Sequence, residues 1–194
     1  MESNGDQAQR ESWQDEYRYG AFYLFPPADV ASAVDQLRAR YDPRSAAICG
    51  AHVSLSEPLT RPPSDEQLAE VREVLTTFAP FEITFGPVRS FDPHPGVVFA
   101  ITPEDTFFAL RSAVHSTSMF SRRATSRPRR TPHMTIAEFI SLEGTHDLVD
   151  QLSVTTPGGA FLCDHVVYAQ PDASFHFEPV LTVPLGGAIQ LRYV

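Results

Sequence analysis

Lysine is absent from this 194-residue chain, and all fifteen of its basic residues are arginine. Against them stand 24 acids, giving a formal net charge of −9, so the field of the whole molecule repels long polyanions and general coating of RNA or DNA is not expected. Cysteine is nearly missing: Cys49 and Cys163 make no disulfide framework and show no metal-ligand spacing. Neither is there an uninterrupted apolar run of about 18 residues, so no membrane span is expected. The opening "MESNGDQAQRESWQDEYRYG" lacks the basic patch and apolar stretch of a signal peptide. A cytoplasmic monomer is the expectation, with a flexible tail over residues 1–16 and a single domain over 17–194. At 42% hydrophobic the chain has the material for one core.

One further absence is local. From Thr106 to Ala137 there is no Asp or Glu, while Arg111, Arg122, Arg123, Arg127, Arg129 and Arg130 all fall there, leaving the remainder of the chain at −15 (−9 minus 6). Charge runs are usually just solvated. This one, "SRRATSRPRRTP", leads directly into His133, which makes Arg127, Arg129 and Arg130 candidates for an anion-gathering, phosphate-binding rim.

The hydrophobic pattern organises the chain around two histidines. Strand character at 18–25 and 46–56 brackets a helical spacing over 28–41, which Asp42-Pro43 ends. Residues 62–80 read as the clearest helix, with Ser64 as N-cap and Gln67 three later. Strands at 81–91 and 96–102 follow, joined through "DPHPG" as a hairpin. The order then repeats with a helix at 103–119, a strand at 132–140, a helix near 143–153 and strands near 160–169 and 174–183. This duplication implies an α+β fold of two pseudo-symmetric lobes, each an antiparallel sheet with helices on its outer face. An active-site cleft is expected between them.

Each repeat carries the same alternation in its key strand. "AHVSLSEPL" sets His52 and Ser54 on one face and Ala51, Val53 and Leu55 on the other; eighty-one positions later (133 minus 52) "PHMTIAEF" does so with His133 and Thr135 against Met134 and Ile136. Two histidines meeting across one cleft can act as base and acid on opposite sides of a bound group. Histidine serves as either near neutral pH. A Ser or Thr two residues on points the same way and has a hydroxyl to donate to that group. Taken singly, each would be an ordinary strand residue; together they form a pair of matched sites. Cys49 lies three before His52, so on a strand it would face away. His94, His115, His146, His165 and His176, which sit in no matching motif, take ordinary structural roles. Of the aromatics Phe22, Tyr23, Phe25, Phe139, Tyr168, Phe175 and Phe177, most belong to the core by alternation, with one or two available to stack a nucleobase.

The paired "HVSL" (52–55) and "HMTI" (133–136), with the "TPHMTIAEF" context of the second, resemble the signature motifs of the 2H phosphoesterases, which include the 2′-5′ RNA ligase-like RNA 2′,3′-cyclic phosphodiesterases. The resemblance spans about 18–185. It implies hydrolysis of a 2′,3′-cyclic phosphate, or of a related cyclic or 2′-5′ phosphodiester, with His52 and His133 as acid and base in an order the sequence leaves open. Ser54 and Thr135 would hold the phosphate, and no metal or other cofactor is called for. Small nucleotides or short RNA ends are the implied substrates, and ligation is also attributed to the family. One residue departs from what a phosphate site wants: Glu138 follows the second motif. By parity it points away from the His133 face, and only a bulge would bring it in. Two rival classes remain, a nucleotide- or RNA-end-binding module without turnover and a metal-dependent hydrolase.

Overall fold

The computed structural model describes residues 11–120 and 131–186. In chain order they form α1 (Ser12–Glu16), β1 (Ala21–Leu24), α2 (Ala28–Tyr41), α3 (Pro43–Ile48), β2 (Val53–Ser54), α4 (Asp65–Thr76), β3 (Phe81–Ser90), β4 (Val97–Thr102), α5 (Glu104–His115), β5 (His133–Ala137), α6 (Leu142–Thr155), β6 (Gly159–Cys163), β7 (His165–Pro171) and β8 (Phe177–Pro184). All these strands join one antiparallel sheet in the order β6-β3-β4-β5-β2-β1-β7-β8. Only Asp164 separates β6, at one edge, from β7, beside the other edge, so the sheet has to curl its two ends together.

The α+β class and the two antiparallel halves match the sequence pattern, but the halves are not consecutive stretches of chain. One consists of β6, β3, β4 and β5, the other of β2, β1, β7 and β8, and they meet at the β2–β5 pairing. The β3–β4 hairpin of the first repeat lies between β6 and β5 of the second, and the β7–β8 hairpin of the second lies against β1 of the first, so each repeat completes the other's half. Alternation within strands sorts the side chains as expected: Phe22, Leu24, Val53, Met134 and Ile136 enter the main core. Ala21 and Tyr23, on the other face of β1, join a smaller cluster with Phe175 and Phe177, which Trp13 and Ile48 cover. That second cover is why all four residues of β1 are buried.

Three boundaries differ from the sequence reading. Residues 12–16, within the span expected as tail, form α1, and Gly20, at φ +74°, turns the chain from it into β1. Residues 43–48 are helical rather than extended, because Pro43 sits at the first helical position and the Asp42 side chain accepts from the Ser45 amide at 3.0 Å. The strand read over 160–169 is two strands, broken at Asp164. The helix at 65–76 opens as anticipated, with Ser64 and Gln67 forming a reciprocal capping box.

A polar seam on α2 holds the two histidine motifs together. Asp35, Arg38 and Asp42 recur at helical spacing on one side of the helix. Asp35 accepts from the Ala51 amide at 2.7 Å, immediately before His52. Arg38, only 1% exposed, donates to Ser45 O and Oγ (both 3.0 Å) and to Cys49 O (2.8 Å), and across to Thr135 O (2.7 Å). Its Nε lies 3.5 Å from Asp35 Oδ1 without a hydrogen bond, so that contact is purely electrostatic. Asp42 Oδ2 accepts from the amides of Glu138 and Phe139 at 2.8 and 3.0 Å.

Arg38→Met keeps the side chain's bulk and removes the donors, leaving buried carbonyls on both motifs unpaired. It should lower the unfolding free energy by about 3 kcal/mol or more in urea denaturation, given a cost of about 1–3 kcal/mol for each orphaned buried polar group. Arg38→Lys should recover little, because an ammonium lacks the planar fork that reaches several carbonyls at once. A loss under about 1 kcal/mol for Arg38→Met would contradict this account of the seam.

Candidate functional site

A cleft of about 320 Å³ lies over the β2–β5 junction, a volume at the lower end of the range for small-molecule sites. Its floor follows from a single register. Val53 pairs with Met134 in antiparallel sense, and both side chains are fully buried in the core. One residue either way, His52 therefore stands opposite Thr135 and Ser54 opposite His133, all four lining the cleft. The two histidines occupy diagonal positions, which in an antiparallel pair lie about 7–8 Å apart. That spacing leaves room for a phosphate between the rings, with one hydroxyl beside each.

Local hydrogen bonds fix the tautomers. His52 Nδ1 lies 2.7 Å from Gly50 O and His133 Nδ1 lies 2.9 Å from Thr131 O. A carbonyl only accepts, so each Nδ1 carries a proton and Nε2 is the nitrogen for acid–base chemistry. Edge contact with Tyr23 (ring centroids 5.0 Å) steadies His52, and Phe91 lies against His133 at 4.4 Å. Burial pushes the His52 pKa down to about 4, helped by the positive charge of Arg38 and opposed by the Gly50 bond. His52 is therefore neutral in the unliganded protein across the physiological range.

The two ends of the cleft differ in chemistry. Beyond Ser54, Arg111 of α5 donates to Leu55 O at 2.7 Å and pairs with Glu57 Oε1 at 2.8 Å. The Glu57 amide donates to His115 Nε2 at 3.2 Å, and burial with the neighbouring Arg111 charge brings the His115 pKa down to about 4, so that ring accepts as the neutral form. Beyond Thr135 lie Glu138, Cys49, Ile48, Phe139 and Trp13.

The presence of Glu138 in the cleft corrects the parity reading. Val98 pairs with Thr135 but Val97 pairs with Ala137, so β5 bulges at Ile136. Ile136 and Ala137 both go inward, and Glu138 recovers the face of His133 and Thr135. The Ser45 hydroxyl donates to its Oε1 at 3.1 Å. Burial raises the Glu138 pKa, against the opposing influence of Ser45 and Arg38. Parity also misplaces Cys49, which lines the cleft because the residues before His52 are not strand. Burial pushes its thiol up to about 12, so it is not a thiolate nucleophile at neutral pH.

Thus His52, Ser54, His133 and Thr135 come together, whereas Arg127, Arg129 and Arg130 lie outside the described residues. Of the aromatics, Tyr23, Phe139 and Phe177 line the cleft, and Phe22 and Tyr168 pack in the core. Not singled out from sequence were Trp13, Glu57 and the inward position of Arg111. Arg111 had a usable signal, since it stands four residues after core Phe107 on the same helix. Trp13 had none, because a short helix at the edge of a polar stretch carries no periodicity. Among the described residues no three His, Cys, Asp or Glu side chains converge as a metal site, and no helix is long and apolar enough to cross a membrane.

Comparison with known proteins bears on the fold and the family. "Putative phosphoesterase OB1230" of Oceanobacillus iheyensis is 26% identical over 140 residues, 71% of this chain and 79% of that protein. E. coli LigT, solved with 3′-AMP, superposes with a TM-score of 0.57 at 13% identity, covering 87% of this chain and 98% of LigT. TT0787 of Thermus thermophilus gives 0.55 at 12% identity, with the same coverage of 87% and 98%. At those identities the likeness establishes the fold alone. The model of the 2′-5′ RNA ligase superfamily matches residues 26–174, which takes in both histidine motifs and every strand from β2 to β7, and on that match the chain belongs to the 2′-5′ RNA ligase superfamily, the 2H phosphoesterases.

Proposed function

We propose that the protein is a phosphodiesterase that opens a 2′,3′-cyclic phosphate, or a related cyclic or 2′-5′ phosphodiester, on a small nucleotide or a short RNA end, without a metal. The observation that carries this reading is the Val53–Met134 register, which sets two histidines diagonally across one cleft floor with a hydroxyl beside each. His52, held neutral, accepts a proton from water through Nε2 as the oxygen attacks phosphorus. His133 Nε2 gives a proton to the departing ribose oxygen, so the P–O bond of the ring breaks as the new one forms. Ser54 and Thr135 donate to the non-bridging oxygens. The product is a phosphomonoester with one free ribose hydroxyl, and exchange with solvent restores both histidines. LigT structures with 3′-AMP, NADP+, ATP and phosphate are in keeping with a small-nucleotide substrate.

His52→Ala and His133→Ala should each reduce kcat/KM for a 2′,3′-cyclic nucleotide by about 10²–10⁴-fold, and the double variant should add little. More than about a tenth of wild-type activity in either single variant defeats the two-histidine mechanism. Cys49→Ala should keep most of the activity; its loss with the fold intact would restore a role for the thiol.

The pH dependence tests the role assignment. In the free enzyme His52 loses its basic form only as pH falls toward about 4, so the acidic limb of kcat/KM should lie near there rather than at 6.5. A bound phosphate anion offsets the Arg38 charge, so the acidic limb of kcat should lie at higher pH. An acidic limb of kcat/KM at pH 6.5 or above, unchanged in Arg38→Met, would contradict His52 as the base.

A further inference from the structure

The two histidines account for the phosphate but not for the end of the cleft beyond Thr135. That end holds one carboxyl and an aromatic wall. Glu138 is brought there by the β5 bulge, and among the described residues its side chain has one hydrogen-bond partner, the Ser45 hydroxyl on Oε1. A carboxylate only accepts, so at this end it repels a phosphate and calls for donors. Beside it Trp13 and Phe139 form a wall set before any ligand arrives. Trp13 Nε1 donates to Glu11 Oε2 at 2.5 Å, Glu11 pairs with Arg44 at 2.6 Å, and the Arg44 guanidinium lies 3.8 Å over the Phe139 ring. Trp13 and Phe139 are 6.1 Å apart, and an edge contact with Phe175 at 5.3 Å holds Trp13 from the other side. Both rings are half-buried and line the cleft, so part of each surface faces the ligand space. At the opposite end Arg111 and Glu57 are engaged with each other and with the backbone, and Phe91 is packed against His133.

Resting on the phosphodiesterase reading, we infer that the Glu138 end is a nucleobase subsite that selects guanine over adenine. Trp13 and Phe139 supply the stacking wall, and the Glu138 carboxylate takes the two adjacent donors of the guanine edge, N1–H and N2–H. Adenine presents an acceptor, N1, beside its amino group, so one carboxylate oxygen would face a lone pair. Uracil places its single ring N–H between two carbonyl acceptors, and cytosine offers an amino group beside an acceptor nitrogen. Guanine is the only one of the four with two neighbouring donors on that edge. A bidentate pair of this kind discriminates by roughly 5- to 150-fold, and stacking strengthens binding of any base.

The test is equilibrium titration calorimetry with 3′-GMP and 3′-AMP, which needs no turnover, repeated with dinucleotides ending in the same bases to separate a mononucleotide from an RNA end as the source. The wild-type protein should bind the guanine ligand at least about fivefold more tightly in one of the two formats. Glu138→Gln turns one acceptor into a donor, and the amide then pairs with adenine N1 and N6–H as well as with guanine O6 and N1–H, so the guanine preference should be lost. Trp13→Ala, checked for an unchanged melting temperature because Trp13 also covers the smaller core cluster, should weaken both nucleotides by similar factors and keep their ratio. Equal affinity for the two bases in the wild type, an unchanged ratio in Glu138→Gln, unaltered affinities in Trp13→Ala, or no binding of either nucleotide each overturns the subsite. A guanine preference that is lost in Glu138→Gln, in a protein that opens no 2′,3′-cyclic nucleotide, upholds the subsite and rejects only the reaction.

Discussion

The contact on which the rest depends is made by a helix outside the cleft. The strands bearing His52 and His133 share only one short pairing, so their relative position would be loosely set by the sheet alone. The α2 seam fixes it. Arg38 donates to backbone oxygens on both sides, at Cys49 and Thr135, and Asp42 accepts amides from Ser45, Glu138 and Phe139. Most of these targets are backbone groups, so the seam sets main-chain geometry and leaves the side chains of the motifs to do chemistry. A buried guanidinium that close to the site also has an electrostatic effect, since it helps keep His52 neutral. One residue thus ties scaffold precision to protonation state.

The same constraint explains the asymmetry of a pseudo-symmetric site. The β2–β5 pairing is locally twofold, yet what lies beyond each end of it is not. On one side α5 delivers Arg111 to Glu57, and an ion pair closes the cleft. On the other, α3 and α1 supply Ile48, Cys49 and Trp13, and the β5 bulge adds Glu138. Asp42 takes the Glu138 and Phe139 amides as they leave the strand, so the seam also stabilises the bulge that places the carboxyl. The centre of the cleft therefore has an ion pair on one side and an aromatic, hydrogen-bond-accepting wall on the other.

Much of this was legible in the sequence because it rests on period. The His-x-Ser/Thr alternation, the repeated order of elements and the Ser64–Gln67 cap are local patterns that tertiary packing did not override. Features that broke the period were hidden. The inward position of Glu138 depends on an extra residue in β5, visible only against its β4 partner. Cys49 was misplaced because Pro43 and Asp42 start a short helix where apolar residues suggested strand. The exchange of the β3–β4 and β7–β8 hairpins between halves is a matter of which hairpin meets which strand, and nothing local in the chain encodes it. Arg38, the residue with most influence, reads in the sequence as one more helical arginine, and only its burial reveals its work.

If His52 and His133 open a cyclic phosphodiester by acid–base chemistry alone, turnover needs no divalent cation. The most direct test is incubation of the full chain with 2′,3′-cyclic nucleotides in the presence and absence of EDTA, with the products separated by chromatography. A nucleoside monophosphate should form at the same rate in both conditions. Absence of product, or a rate that collapses in EDTA and returns with an added divalent cation, would contradict that mechanism.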